Sequence, residues 1–198
     1  YCSAPAAAKI HQAYIGGLLE HTLNVVRNAL LLANNYKPFD RDLLVTAGIL
    51  HDVGKIREYS WRRTICYTDE GRLLGHISIG AAMVDGVIRG LMREADGFSE
   101  FYHRHILHLI LSHHGKLEYG SPTVPKTREA LLLHYGDYTD AYLSSYVEAI
   151  NAAQAKGQGW TGYNKMFEAY LYAGTTPAAE PVAAPGPGLP AASPTSMP

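Results

Sequence analysis

Five long segments of this sequence repeat apolar residues at three- and four-residue intervals, and this periodicity limits most strongly what the chain can fold into. A stripe with that spacing lies along one face of an α-helix and packs against other helices. The long segments and a shorter closing one cover residues 13–35, 41–51, 76–94, 99–112, 127–153 and 163–172. The chain is therefore predicted to be an all-α bundle.

One stretch, residues 56–75, interrupts the helical pattern. Aromatic and β-branched residues crowd its first part, and Asp69-Glu70-Gly71 is typical of a turn. We therefore expect a short β-hairpin inserted between helices. The insertion carries the arginines Arg57, Arg62, Arg63 and Arg72. They form either a solvated basic edge or a rim that steers phosphate groups.

The chain length and composition indicate one folded domain and a tail. The 198 residues, 47% of them hydrophobic and 18% charged, suffice for one sizeable core. Residues 1–174 are predicted to form this domain. Residues 175–198 consist mainly of Pro, Ala, Gly and Ser, so we expect a disordered tail or linker. Since the sequence does not begin with Met, it is expected to be a piece of a longer protein.

The charge balance excludes a strongly basic protein. Lys and Arg number 17 against 18 Asp and Glu, a formal charge of -1, so only a local patch could attract nucleic acid. Two cysteines are too few for a disulfide framework, which favours a cytoplasmic location. No apolar run approaches the roughly 20 residues that span a bilayer, so no membrane association is expected.

Each long helical segment carries histidine or aspartate at a position that could reach a shared centre. These residues are His21, His51, Asp52, His76, His113, His114 and Asp137. Imidazole and carboxylate together suit divalent transition metals. Helices of a bundle can bring such side chains together in the core, where charge is costly unless it is paired or metal-bound. We expect a metal centre, with a hydrogen-bonded core cluster as the alternative.

The position of His51-Asp52 favours convergence, because Val53-Gly54 ends the second helix and lets the chain turn. Glycines also lie within about one helical turn of the proposed ligands. They are Gly17, Gly48, Gly80 and Gly136. They either make room for ions and substrate or mark close helix crossings.

Four extended runs resemble a known family. They are Gly-Gly-Leu-Leu-Glu-His-Thr at 16–22, Leu-His-Asp-Val-Gly-Lys at 50–55, Gly-Arg-Leu-Leu-Gly-His-Ile at 71–77 and Leu-Ser-His-His-Gly-Lys-Leu-Glu-Tyr-Gly-Ser-Pro at 111–122. The pattern is similar to the HD-domain metal-dependent phosphohydrolase superfamily, and more closely to the HD domain of YhaM-type 3'-5' exoribonucleases. The resemblance covers roughly residues 10–172.

The resemblance implies an HD-domain helical bundle with 3'-5' exonuclease-like phosphodiesterase activity on single-stranded RNA or DNA. It implies two divalent ions, drawn from Mn, Fe, Ni, Co, Zn or Mg. One ion would be held by His21, His51, Asp52 and Asp137, and the other by His76, His113 and His114. Asp52 and Lys55 would be catalytic, and Lys55, Lys116, Tyr119 and Ser121 would contact the substrate.

The sequence departs from the family in one place and leaves other functions open. Tyr142 follows Asp140-Ala141 where the family reads Asp-Ala-Lys. The resemblance also implies an upstream OB-fold-like nucleic-acid domain outside this chain, and leaves a homo-oligomer open. The alternatives are a phosphohydrolase for small nucleotides, including deoxynucleotide triphosphates and nucleoside monophosphates, and a catalytically silent module with structural metals.

Several other polar residues receive secondary assignments. His134 is expected to orient Asp137. Asp140 is either a partner of a ligand or polar surface. Surface positions are expected for His103, His105 and His108, which share a segment with Tyr102 and Arg104.

Overall fold

Six α-helices and one two-stranded sheet follow one another in the described part of the chain, residues 1–7, 12–94 and 97–174 of a computed structural model. They are α1 (Gly17–Ala33), α2 (Arg41–Leu50), α3 (Lys55–Glu58), β1 (Tyr59–Ser60), β2 (Cys66–Tyr67), α4 (Asp69–Leu91), α5 (Glu100–Ser112) and α6 (Arg128–Gln154). This confirms the predicted all-α architecture with an inserted hairpin. The predicted tail, residues 175–198, lies outside the described residues.

Side-chain caps explain where several helices begin. Leu43 donates its backbone N–H to the Asp40 carboxylate at 2.9 Å, at the start of α2. Phe101 donates in the same way to the Ser99 hydroxyl at 3.2 Å, at the start of α5. Such caps satisfy backbone donors that a helix leaves free at its N-terminus. Among the helices of the described ranges, none combines the length and apolarity that a membrane crossing requires.

The third long helix begins earlier than predicted. Thr68 caps α4 by accepting the Gly71 backbone N–H at 2.9 Å, so helix α4 starts at Asp69 and not at His76. Gly75 then breaks the helix with φ 70° and ψ 152°, a left-handed φ that glycine tolerates without strain. His76 therefore begins the second half of α4. The sheet is short because helices occupy both flanks, and Tyr59 pairs with Tyr67 across it.

The core of the first compact unit, residues 1–148, is formed by apolar side chains of the long helices. Fully buried examples are Val25, Ala29, Leu44, Leu109 and Leu133. Helix α1 packs on α2, α2 on α5, and α4 on both α3 and α5. Each helix thus buries the apolar face that its periodicity predicts.

Three of the four glycines near the predicted ligands occupy close helix crossings. A Cβ added at Gly48 would lie 2.8 Å from the Val26 Cγ2 atom, and one at Gly136 would lie 2.9 Å from the Val25 carbonyl oxygen. Gly80 faces the backbone of Gly54 in the same way, at 3.1 Å. The geometry therefore favours the crossing interpretation over space for ions and substrate.

The second compact unit comprises residues 149–198, of which 149–174 are described. The helix predicted for residues 163–172 is wrong. Isolated antiparallel bridges pair Trp160 with Tyr172 and Asn164 with Ala169. The Trp160 and Tyr172 rings pack edge to face at 5.1 Å. Apolar spacing over so few residues does not distinguish a helix from paired extended segments, and cross-strand ring packing decided the outcome.

Candidate metal centre

The chain positions the predicted donors at helix ends and on two helix faces. His21 lies on α1 and Asp137 on α6, His51 caps the end of α2, and His113 caps the end of α5. His76 follows the break in α4. Three overlapping sets have donor atoms within 4.8 Å of one another, and each could hold a metal ion. They are His21, His51 and Asp137; His76, His113 and His114; and His51, Asp52 and His113.

Asp52 lies between the first two of these sets. Its Oδ2 atom is 3.4 Å from the Nε2 atoms of both His21 and His51. Its Oδ1 atom is 3.3 Å from His76 Nε2 and 3.7 Å from His113 Nε2. The two oxygens of one buried carboxylate therefore face different groups of imidazoles.

Backbone carbonyls orient three of the imidazoles. The Nδ1–H of His51 donates to the Gly48 carbonyl at 2.7 Å, and that of His113 donates to the Ile110 carbonyl at 2.6 Å. His114 Nδ1–H donates to a loop carbonyl in the same way. A proton on Nδ1 leaves the lone pair of a neutral imidazole on Nε2, the atom that faces the cluster.

Carboxylates orient the other two imidazoles. His21 Nδ1–H donates to Asp140 at 2.7 Å, so Asp140 is the partner of a predicted ligand and not polar surface. Glu58 accepts from both the backbone N–H of His76, at 3.1 Å, and its Nδ1, at 3.2 Å. Sequence reasoning missed Glu58. Such partners fix ring orientation and raise the basicity of the donor nitrogen.

The two carboxylates of the cluster are held ionised. Burial alone would raise the pKa of Asp52, but the Lys55 ammonium and His51 hold that pKa well below its usual range. Burial would also raise the pKa of Asp137, but the hydrogen bond and charge of His21 outweigh burial and lower that pKa. The cluster therefore retains negative charge at neutral pH, which favours a cation.

The pKa values of His113 and His21 shift in opposite directions. Burial lowers the pKa of His113 well below its ordinary value, so this imidazole stays neutral at neutral pH. Burial also lowers the pKa of His21, but its hydrogen bonds with Asp137, Asp140 and Asp52 outweigh burial and raise the pKa well above its ordinary value. Without an ion, a proton on His21 partly balances the carboxylates.

Orphaned nitrogens test whether a metal fits. The Nε2 atoms of His51, His76 and His113 are buried and have no hydrogen-bond partner among the described residues. A buried polar atom left unpaired costs about 1–3 kcal/mol. Nitrogen and carboxylate donors at this spacing match the preferences of divalent transition metals. The residues present therefore fit such an ion.

The predicted substrate contacts separate into two groups. Lys55 is buried, and its Nζ atom lies 2.6 Å from Asp52 Oδ2. Lys116 is exposed over the Tyr119 ring, at 5.0 Å from the centroid. The Ser121 hydroxyl is buried and donates to the carbonyls of Leu111 and Thr123, so it holds its loop.

Two further histidines differ from expectation. His134 Nδ1–H donates to the His113 carbonyl at 2.8 Å, and its ring packs against Gly115. It therefore supports the backbone of a predicted ligand; the expected bond was with Asp137. His103 was expected at the surface, but it is buried. Its Nε2 atom lies 2.7 Å from Asp85 on the neighbouring helix α4, and this partner satisfies the buried nitrogen.

Comparison with known proteins identifies relatives. The sequence model of the HD domain matches residues 18–142. The 3'-5' exoribonuclease YhaM of Bacillus velezensis is 44% identical over 137 residues, 69% of this chain and 42% of that protein. The proteins of the same name from Bacillus subtilis and Shouchella clausii are 40% and 41% identical, over 74% and 78% of this chain and 45% and 47% of theirs. The chain thus spans somewhat under half the length of these relatives. No solved structure matches it.

Proposed function

Because this chain belongs to the HD domain family, we propose that it is a metal-dependent phosphodiesterase that removes nucleotides from the 3' end of single-stranded RNA or DNA. Relatives that are 40–44% identical over 69–78% of this chain are named 3'-5' exoribonucleases, which supports both the polarity and the polymeric substrate. The family match and the donor clusters support metal dependence.

The observation that carries the proposal is the division of the Asp52 carboxylate between two groups of imidazoles. His21, His51 and Asp137 would hold one ion and His76, His113 and His114 a second, and Asp52 would offer a carboxylate oxygen to each. Bound there, the ions would supply Lewis-acid charge to the phosphate and lower the pKa of the attacking water.

The protein's own groups would position the phosphate and hold the protons. Lys55 is buried beside Asp52, and its ammonium would stabilise charge that develops on the phosphoryl oxygens. Asp140 and Glu58 would keep the Nδ1 protons of His21 and His76 in place. The oxygen of water bonds to phosphorus while the bond between phosphorus and O3' breaks. The products are a nucleoside 5'-monophosphate and a strand with a new 3'-hydroxyl.

The test uses oligonucleotides labelled at the 5' end and incubated with Mn²⁺. A ladder that shortens from the 3' end is expected, and Asp52→Ala is expected to abolish it. Asp42→Ala, which removes an exposed carboxylate of α2, is the matched control and should leave the ladder intact. Failure of the wild-type protein to shorten any strand, with Asp52→Ala behaving identically, would refute the proposal.

Two other outcomes would select the remaining functions. Release of phosphate from free nucleotides without cleavage of oligonucleotides would select a small-nucleotide phosphohydrolase, which the formal charge of -1 would suit. Metal retained in fully protein-filled coordination, without any hydrolysis, would select a silent module, since catalytic sites keep an open position.

A further inference from the structure

A groove of about 520 Å³ lies beside the hairpin, outside the metal cluster. Its lining includes Arg57, Tyr59, Trp61, Arg62 and Glu70. This volume is within the range of small-ligand sites, roughly 300–1,000 Å³. The groove therefore has the size to take one nucleotide, and its walls combine aromatic and cationic side chains.

Two side chains of the groove, Arg57 and Tyr59, already have partners, and two others have none in the described part of the chain. Arg57 is paired with Glu70, at 2.7 Å and 3.1 Å, so its charge is already balanced. Arg62 is exposed and forms no ion pair within the described ranges. Tyr59 packs edge to face on Tyr67, at 4.9 Å. The Trp61 side chain makes neither a hydrogen bond nor a ring contact with any described residue, which leaves its indole for a ligand.

One short helix separates this groove from the metal cluster. Helix α3 has four residues and is therefore about 6 Å long. At its start Lys55 contacts Asp52, and at its end Glu58 contacts His76. The side chain of Arg57, between them, is half-exposed and lines the groove. Along α3, the groove therefore lies within about one helical turn of the residues that contact the cluster.

We propose that the groove binds a nucleotide of the substrate strand on the 5' side of the cleaved phosphate, with its base on Trp61 and its phosphate on Arg62. The inference rests on the proposed nuclease function and names a binding site for it. Aromatic side chains stack on any base, and an unpaired arginine attracts the backbone, so the site would hold single strands without sequence preference.

Intrinsic fluorescence offers a direct test, because the chain has two tryptophans. Trp160→Phe leaves Trp61 as the one tryptophan. A phosphorothioate-linked oligoribonucleotide of about 10 nucleotides, a usual span for single-strand sites, should quench its emission in the metal-loaded protein. A nucleoside monophosphate at the same nucleotide concentration should quench it far less. Absent quenching, or equal quenching by the mononucleotide, would overturn the proposal.

Substitutions provide a second test with matched controls. Trp61→Ala should weaken oligonucleotide binding by about 5- to 150-fold, and Trp61→Phe should retain most of it. Arg62→Ala should reduce the dependence of log affinity on log salt by about 0.7, whereas Arg63→Ala, which alters an exposed neighbour outside the groove lining, should not. If Trp61→Ala binds the oligonucleotide with wild-type affinity, or the two arginine variants have equal salt slopes, the groove does not bind the strand and the proposal is refuted.

The failure of this inference is distinguishable from failure of the nuclease function. Wild-type hydrolysis of a small phosphodiester, bis(p-nitrophenyl) phosphate, with Mn²⁺ reports the cluster without engaging a polymer site. If the wild-type protein cleaves this ester and oligonucleotides but Trp61 is not quenched, the groove proposal alone is overturned. If it cleaves neither, the nuclease proposal fails, and with it the substrate that the groove was inferred to hold.

Discussion

Alanine at position 54 is expected to destabilise the protein and weaken its metal centre together. Gly54 has φ -63° and ψ -22°, ordinary helical values, so alanine would cause no backbone strain. The obstacle is space. A Cβ atom there would lie 2.0 Å from the His76 carbonyl oxygen and 2.6 Å from the Gly80 backbone nitrogen. Both belong to the backbone of α4, which cannot swing aside as a side-chain tip can.

The size of the effect follows from the displacement needed. Since Cβ contacts below 3.0 Å are essentially never found, α4 must move by about 1 Å relative to Gly54. Overpacking of this kind costs about 1–3 kcal/mol, and each kcal/mol lowers Tm by roughly 2–4 °C in a chain of this size. His76 would move with α4 away from Asp52, which its Nε2 atom faces at 3.3 Å. A misplacement of about 1 Å can cost on the order of 100-fold in rate.

The assay compares thermal unfolding in chelator with metal affinity by titration. Gly86→Ala is the matched control, because Gly86 is exposed within α4 and an added Cβ would meet nothing within 4 Å. It should raise stability by roughly 0.5–1 kcal/mol and leave metal affinity unchanged. If metal-free Gly54→Ala has the same Tm as the wild-type protein and only metal binding is lost, Gly54 makes room for an ion. The explanation by contact between α3 and α4 is then refuted.

Three further predictions concern the surroundings of the cluster and a distant ion pair. Glu58→Gln should lower metal affinity about 10- to 100-fold in a competition titration, because the partner of a proposed ligand, His76, loses its charge. Metal uptake at pH 7 should release protons and weaken toward about pH 5, since the carboxylates around His21 outweigh burial and raise its pKa. Hydrogen bonds from Arg89 and His103 lower the pKa of Asp85 below its ordinary value of 3.8. The ionised carboxylate therefore stabilises the fold fully above about pH 3.8, and this stabilisation is lost as the pH falls through the lowered pKa of the folded state. Asp85→Asn should flatten the dependence of Tm on pH below about pH 4.

Each of these predictions has a matched control or a contradicting result. Glu70→Gln removes a more exposed carboxylate near Glu58 and should leave metal affinity unchanged. Equal metal content at pH 7 and about pH 5 would contradict imidazole ligation. Asp42→Asn changes an exposed carboxylate outside this ion pair and should retain the wild-type dependence of Tm on pH. If the Asp42→Asn curve flattens as well, Asp85 has no special role in this dependence.

The parts of the fold that the sequence predicted depend on local interactions. Helices α2 and α5 begin where Asp40 and Ser99 can accept a backbone N–H, and these caps are visible within three residues of sequence. The break before His76 was also visible, as a glycine. The helical turns before that break were not, because Asp69-Glu70-Gly71 is a turn pattern as well as a capped helix start.

The parts that were missed depend on contacts between distant segments. Glu58 stands in an interrupted stretch with no periodicity, and its role depends on the return of α4 beside α3. Asp140 could be assigned to His21 only after α1 and α6 were in place, because 119 positions separate the two residues. His103 is buried by its pairing with Asp85 across two helices, and helix periodicity alone gives no sign of that pairing.

The position of two proposed ligands, His51 and His113, at the C-terminal ends of helices has a physical reason beyond the freedom to turn. The last four carbonyls of a helix have no partner within it. Gly48 in α2 and Ile110 in α5 are among these residues, and their carbonyls accept the Nδ1 protons of His51 and His113, three residues on. The C-terminal end of a helix also carries partial negative charge, which favours a cation nearby. His21, inside a helix, lacks both contributions and instead requires Asp140. In this chain, the carbonyls of the last helical turn therefore orient two of the proposed ligands, His51 and His113, whereas the third, His21, depends on a carboxylate from a distant helix.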